Sequence, residues 1–135
     1  MINIFFIGKN DAFQDLLTLS LKQQGIKVIQ LLSPEDEFNL WDAEIADLIV
    51  ADVEEKGYGL ECYEILEVIR EILKDKKFVG FTKRYSKQAA ERVKELGAMG
   101  YFYIDVDDIK SVSHCIKAVY QGEPYFNAYD KTYEK

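Results

Sequence analysis

Short apolar runs alternate with longer amphipathic stretches along the chain. The runs are INIFFI from Ile2, IKVIQL from Ile26, DLIVAD from Asp47, FVGFT from Phe78 and YFYI from Tyr101. Each run is too short for a helix and predicts a strand.

The stretches between these runs have helical period, with one apolar face each. The predicted inner faces are Phe13, Leu16, Leu17, Ser20 and Leu21; then Cys62, Ile65, Leu66, Ile69, Ile72 and Leu73; then Ala89, Ala90, Val93 and Leu96; then Ile109, Val112, Ile116 and Val119. Ser33 with Pro34 predicts the N-cap and first residue of a further short helix that runs through Trp41. Helix ends are predicted at three glycines, Gly25, Gly97 and Gly122.

Strict alternation of strands and helices predicts an α/β fold with a parallel sheet and right-handed crossovers. The nearly continuous apolar strands fit a sheet that is covered on both faces, so the architecture is a three-layer αβα sandwich. A five-stranded sheet of this kind takes the order 2-1-3-4-5. Ligands then bind beyond the strand carboxyl ends, between strands one and three, where the order reverses.

The composition fits one domain with a single core, since the chain has 135 residues, of which 48% are hydrophobic and 30% charged. No apolar run is long enough for a membrane span and no signal peptide is visible, so we expect a cytoplasmic protein. The net charge of −7 disfavours direct nucleic acid binding. Cys62 and Cys115 lie in helical stretches without metal-ligand spacing and are interpreted as structural thiols.

Projecting the strands forward brings several polar residues to the predicted ligand edge. They are Gly8, Lys9, Asn10 and Asp11; Asp52, Glu54, Glu55 and Lys56; Thr82, Lys83 and Arg84; and Ile104 and Asp105. Asp52 is the most informative, because an aspartate that closes an apolar strand must be paired or solvated. The alternative for Asp52 is a carboxylate that only caps the next loop.

Over residues 2 to 126 the chain resembles the receiver domains of bacterial response regulators. The resemblance is carried by DLIVADVEEKGYGLECYEILEVIR, by FVGFT and by ELGAMGYFYID, and the ending CIKAVYQGEPYF is similar to receivers of the NarL/FixJ class. In that class the receiver precedes a LuxR-type helix-turn-helix domain, so the resemblance implies transcription regulation through a linked DNA-binding domain. It also implies that Asp52 is the phosphoacceptor, Thr82 the hydroxyl that senses the phosphoryl group and Tyr101 the aromatic switch.

Two functional features of the family, an acidic pair and a lysine, are replaced in this chain. Receivers place adjacent carboxylates after the first strand to bind Mg²⁺, whereas this chain has Gly8 and Lys9, and the family's fifth-strand lysine is replaced by Ile104. We therefore expect no cofactor and weak or absent Mg²⁺ binding, because phosphoryl transfer needs its charge neutralised by a well-held ion. Lys9 either pairs with Asp52, which would lock the site, or points into water.

These departures indicate an atypical receiver, or pseudo-receiver, in residues 1–122, followed by a linker or C-terminal tail in residues 123–135. It would be no enzyme and would act by association with a protein partner or as a homodimer, with Tyr125, Phe126 and Tyr129 extending the surface. Two alternatives remain, a conventional receiver phosphorylated on Asp52 and a small flavodoxin-like enzyme or nucleotide-binding protein. The lone histidine, His114, is expected to face solvent, opposite the apolar stripe of its helix.

Overall fold

A computed structural model describes residues 2–8, 12–32, 44–53, 58–83, 86–103 and 109–126. Within these ranges lie five strands and four helices, numbered here in chain order. The strands are β1 (Ile2–Ile7), β2 (Ile26–Leu32), β3 (Leu48–Asp52), β4 (Phe78–Thr82) and β5 (Gly100–Tyr103). The helices are α1 (Ala12–Gln23), α2 (Tyr58–Ile72), α3 (Lys87–Leu96) and α4 (Ile109–Tyr120).

All five strands are parallel and form one sheet in the order β2-β1-β3-β4-β5. The predicted strand order is therefore confirmed. Only β1 and β2 pair irregularly, with a shift in register between Ile4 and Phe5.

Two apolar clusters, one on each face of the sheet, make up the core. On one face Phe5, Ile49 and Tyr101 pack with the buried residues of α2 and α3. On the other face Phe6, Val50, Phe81 and Phe102 pack with Leu17, Leu21, Val112, Ile116 and Val119 from α1 and α4. The helices thus form two layers around the sheet, which confirms the predicted αβα sandwich.

Helix ends and faces agree with the sequence in most places. Ser86 is the N-cap of α3, and its hydroxyl accepts a hydrogen bond from the Ala89 amide at 3.1 Å. Gly97 ends α3 in the left-handed conformation with φ of 107°, which glycine adopts without strain. Cys115 is buried and His114 is exposed, both as expected.

Two predicted core positions are wrong. Leu16 is 64% exposed and Ile72 is 53% exposed. Among the α1 side chains that the structure describes, from Asp15 onward, Leu17 and Leu21 are the buried ones. Ile72 lies in the last turn of α2, at the rim of the sheet. The short helix expected through Trp41 lies outside the described residues.

The chain continues past α4 along the outer edge of β5. Gly122 turns the backbone with φ of 92°, and Tyr125 then forms a parallel β-bridge with Gly100. Tyr125 and Phe126, which the sequence suggested as parts of a partner surface, are each partly buried against one of the two core clusters. The segment assigned to a linker or tail is residues 123–135, and residues 127–135 lie outside the described residues. The packing of Tyr125 and Phe126 therefore concerns only the first part of that segment.

Candidate functional site

The candidate site lies at the carboxyl ends of β1, β3 and β4. The register pairs Ile7 with Ala51, and Asp52 with Phe81, so these three strands end side by side. Ile7 and Ala51 are paired, and the residues that follow them in the chain are Gly8 and Asp52. Thr82 is the last residue of β4. This is the point where the strand order reverses, and such crevices bind ligands in open α/β sheets.

Asp52 is buried, with 6% of its surface exposed, although it lies at the end of a strand. A carboxylate removed from water to this degree requires hydrogen bonds or an opposite charge to remain ionised. Gly8, the neighbouring position on β1, is also buried and contributes no side chain. The Asp52 carboxylate is therefore the acidic group that the described part of β1 and β3 presents at this edge.

Thr82 and Tyr101 are both fully buried, and their hydroxyl groups are hydrogen-bonded to each other. The register pairs Gly80 with Tyr101 and Thr82 with Tyr103, so Tyr101 is two residues behind Thr82 along the sheet. The Tyr101 side chain extends along the strands to reach Thr82. Both residues were singled out from the sequence, and the structure brings their hydroxyl groups together.

The Tyr101 hydroxyl has a second partner in the loop before α3. The Ser86 backbone amide donates a hydrogen bond to it at 3.0 Å, and the Ser86 hydroxyl in turn accepts from the Ala89 amide. A continuous chain of hydrogen bonds thus runs from Thr82, at the candidate site, through Tyr101 to the first turn of α3.

Ser86 is a residue whose role the sequence did not reveal. Its amide contact with Tyr101 joins residues 15 positions apart. The contact joins two residues on different elements, and no local sequence pattern encodes it.

Several predicted site residues lie outside the described residues: Lys9, Asn10, Glu54 and Ile104, together with Asp11, Glu55, Lys56, Arg84 and Asp105. Lys83 is described and is exposed at the end of β4. Among the described residues, no group of three or more His, Cys, Asp or Glu side chains could hold a metal ion. In the same part of the chain, no helix is long and apolar enough to cross a membrane.

A second polar cluster lies at the opposite, amino-terminal end of β3 and β4. The Lys76 ammonium donates to the backbone carbonyls of Glu44 and Ala46, at 2.7 and 2.5 Å. Burial lowers the pKa of Lys76, while the carboxylates of Asp47 and Glu44 act in the other direction. A cavity of about 390 Å³ opens beside these residues. Since Lys76 ties together the segments that enter β3 and β4, its role is structural.

Solved structures resemble this chain along most of its length. A two-component response regulator of the LuxR family from Aurantimonas sp. SI85-9A1 is 17% identical, with a TM-score of 0.75 over 98% of this chain and 95% of that one. The non-phosphorylated receiver domain of the stress response regulator RcsB from Escherichia coli is 14% identical, with a TM-score of 0.69 over 93% and 97%. The chemotaxis protein CheY4 from Vibrio cholerae is 16% identical, with a TM-score of 0.68 over 88% and 98%.

The chain has the receiver fold. No protein family model matches it, and no curated protein matches it by sequence, so this likeness is one of fold. The receiver fold accounts for the sheet order and for the position of the crevice at Asp52. It leaves open which chemistry the crevice carries out, because one fold supports many functions.

The resemblance to receiver domains described from the sequence implies a metal ion bound by adjacent carboxylates after the first strand. At the two positions concerned this chain has Gly8 and Lys9. Glycine offers no side-chain ligand and an ammonium repels a divalent cation, whereas Mg²⁺ requires several oxygen ligands in near-ideal geometry. The residues at these two positions do not fit the ion.

Proposed function

We propose that residues 1–122 are an atypical receiver domain of the two-component type, which signals by protein association, with residues 123–135 as its linker or C-terminal tail. The observation that carries the proposal is the hydrogen-bonded chain from Thr82 through Tyr101 to Ser86. It links the crevice at Asp52 to the surface formed by α3 and β5. A signalling domain needs such a link between an input site and a surface that a partner can read.

Loss of Mg²⁺-dependent phosphorylation is the second part of the proposal. Transfer of a phosphoryl group to Asp52 would place further negative charge in a buried crevice, and that charge must be neutralised. The family's acidic pair and its fifth-strand lysine are replaced by Gly8, Lys9 and Ile104. This chain therefore lacks the groups that would make the transfer favourable.

A Lys9 and Asp52 ion pair is the proposed substitute for the metal ion. The burial of Asp52 supports it, because a buried carboxylate needs compensation. Lys9 lies two residues after Ile7, which pairs with Ala51, the residue before Asp52, so it is close enough along the chain to supply the charge. A fixed ammonium would hold the site in one state without an external trigger.

The output is proposed to be a homodimer or a complex with another protein, with a LuxR-type DNA-binding domain as the linked output. One of the similar structures is a response regulator of the LuxR family, and its fold supports the proposal of a linked LuxR-type DNA-binding domain. Leu16 and Leu19 are exposed one helical turn apart on α1. They offer an alternative interface, through α1 and α4, to the one through α3, β5 and α4. A cytoplasmic location belongs to the same proposal.

A beryllofluoride titration with Mg²⁺, followed by thermal melting and size-exclusion chromatography, tests this function. A phosphoryl analogue that binds only the folded site must raise the melting temperature. We expect no rise in melting temperature and no change in association state. The matched variant is Asp52→Asn, which removes the proposed acceptor and should likewise show no rise in melting temperature on addition of beryllofluoride.

A conventional receiver phosphorylated on Asp52 is the second candidate, favoured by the position of that buried carboxylate at the end of β3. It predicts stabilisation by beryllofluoride and a mass gain with acetyl phosphate, both lost in Asp52→Asn. A flavodoxin-like enzyme or nucleotide-binding protein predicts instead that a flavin or nucleotide raises the melting temperature. Either result would contradict the proposed function.

A further inference from the structure

The segment of residues 123–126, which we call the strap, lies along the outer edge of β5. The Tyr125 amide donates to the Met99 carbonyl at 2.9 Å, and the Tyr101 amide donates to the Tyr125 carbonyl at 3.1 Å. The strap therefore adds one parallel bridge to the sheet beyond its last strand. Edge strands expose unpaired backbone groups, and these two groups are covered by the chain itself.

Side chains of the strap contact both faces of the sheet. Tyr125 packs against the cluster beneath α1 and α4, and Phe126 packs against the cluster beneath α2 and α3. The Lys94 ammonium of α3 lies 5.2 Å from the centre of the Phe126 ring, within range of a cation–π interaction. The strap thus holds the edge of the sheet from both sides and reaches α3.

Gly100 makes this close approach possible. A β-carbon at this position would lie 3.1 Å from the Tyr125 carbonyl oxygen and 3.2 Å from the Cys115 sulfur. Both distances are tighter than ordinary contacts, so the absence of a side chain lets the strap lie directly on the strand. The same geometry places the buried Cys115 thiol next to the position that the strap covers.

Tyr101 connects the strap to the candidate site. Its backbone amide is bonded to the strap, and its hydroxyl is bonded to Thr82 and to the Ser86 amide. A single residue is thus fixed at its backbone by the C-terminal segment and at its side-chain tip by the crevice.

We propose that the strap is the output element of the site, coupled to Thr82 through Tyr101. Loosening of the Thr82 and Tyr101 contact releases residues 123–126 from β5, and docking of the strap holds Tyr101 in its buried position. This inference rests on the proposed switch role of Thr82 and Tyr101, and Tyr125 acts in it as a positioning residue.

Amide hydrogen exchange measures the coupling from the site to the strap. In Tyr101→Phe we expect the Tyr125 amide to exchange about fivefold faster than in the wild type, the change expected for loss of about one net hydrogen bond. The Ile49 amide, which donates to the Lys77 carbonyl at 3.0 Å, is the internal reference for global opening. Thr82→Val keeps the shape of the side chain and should have the same effect. Tyr120→Phe, which removes an exposed hydroxyl, is the matched control and should change nothing.

Thiol labelling measures strap release directly. Tyr125→Pro removes the amide that donates to the Met99 carbonyl. In a Cys62→Ser background, we expect Cys115 to react with a thiol reagent about fivefold faster when Tyr125→Pro is present than when it is absent. The substitution Cys62→Ser leaves Cys115 as the only thiol. Equal labelling rates with and without Tyr125→Pro would overturn the proposal.

The exchange data separate this inference from the proposed function. If Tyr101→Phe and Thr82→Val alter the association state but leave Tyr125 exchange equal to the wild type, the strap is only a structural cap and the inference fails. If both variants speed Tyr125 exchange relative to Ile49 and association does not change, the coupling stands and the function by association fails.

Discussion

Removal of the hydroxyl groups of Thr82 and Tyr101, singly and together, is the sharpest stability test of the site. Thr82→Val takes one partner from Tyr101, whose oxygen still accepts from the Ser86 amide at 3.0 Å. Leaving a buried polar group without its partner costs about 1–3 kcal/mol, so we expect a loss of about 1 kcal/mol for this variant. Tyr101→Phe removes the acceptor of Ser86 and the partner of Thr82 at once, and should cost about 2 kcal/mol.

The double variant should lose less free energy of unfolding than the two single variants lose together. Once both hydroxyl groups are absent, no unsatisfied partner remains between these positions, and replacement of both partners by apolar groups is close to neutral for that bond. We therefore expect the double variant to lose about 2 kcal/mol of stability, whereas additive effects would give about 3 kcal/mol. The difference is a coupling energy of about 1 kcal/mol.

Urea unfolding at neutral pH measures these free energies, with Tyr120→Phe as a control that should stay within about 0.5 kcal/mol of the wild type. Additive losses, within about 0.3–0.5 kcal/mol, would show that the two hydroxyl groups do not interact in solution. The hydrogen-bonded chain from the crevice to α3 would then be refuted, and the proposed function would lose the observation that carries it.

Three further predictions concern the core and the crevice. Gly80→Ala would place a β-carbon 2.7 Å from a methyl carbon of Val93, so it should cost about 1–3 kcal/mol in a thermal or urea melt, and less in a Val93→Ala background. Burial raises the pKa of the Cys115 thiol above its ordinary value of 9.0, so the unfolded chain ionises first as pH rises. Relative to Cys115→Ala, the wild type should lose about 1.4 kcal/mol of stability between about pH 8 and about pH 10, and equal pH profiles would contradict this. If Lys9 and Asp52 form a buried pair, Lys9→Met and Asp52→Asn should each destabilise the protein by about 3–5 kcal/mol. The losses in the double variant should then be strongly non-additive, and additive losses would show that the two residues are not paired.

The strand order and the position of the crevice could be predicted from the sequence because they follow from chain connectivity. Alternating strands and helices permit few topologies, and right-handed crossovers reduce these further. Asp52 and Thr82 are each the last residue of an apolar run, so their placement at one edge needed no tertiary information. Local chemistry likewise predicted the end of α3 at Gly97, which depends on residues within one helical turn.

The strap could not be predicted, and the reason is physical. Its attachment to β5 is made by the backbone groups of Met99, Tyr101 and Tyr125, and backbone pairing leaves no mark on a pattern of side chains. A segment with a proline and alternating charge has the composition of a linker, and its aromatic residues suggested an exposed surface. Once Tyr125 pairs with the edge strand, its side chain and that of Phe126 fall on opposite faces of the sheet and become partly buried.

The length of Tyr101 explains why this position couples two distant contacts. Its backbone lies beside Gly80 in the register, and its hydroxyl bonds to Thr82 two residues further along β4. At a rise of about 3.3 Å per residue, the side chain must span about 6.6 Å along the sheet. A serine or threonine is too short to cover that distance, and a phenylalanine fills the space but ends without a hydroxyl. Tyrosine alone among these residues can be bonded to the strap at its amide and to the crevice at its tip, so loss of the hydroxyl should disconnect the two without emptying the core.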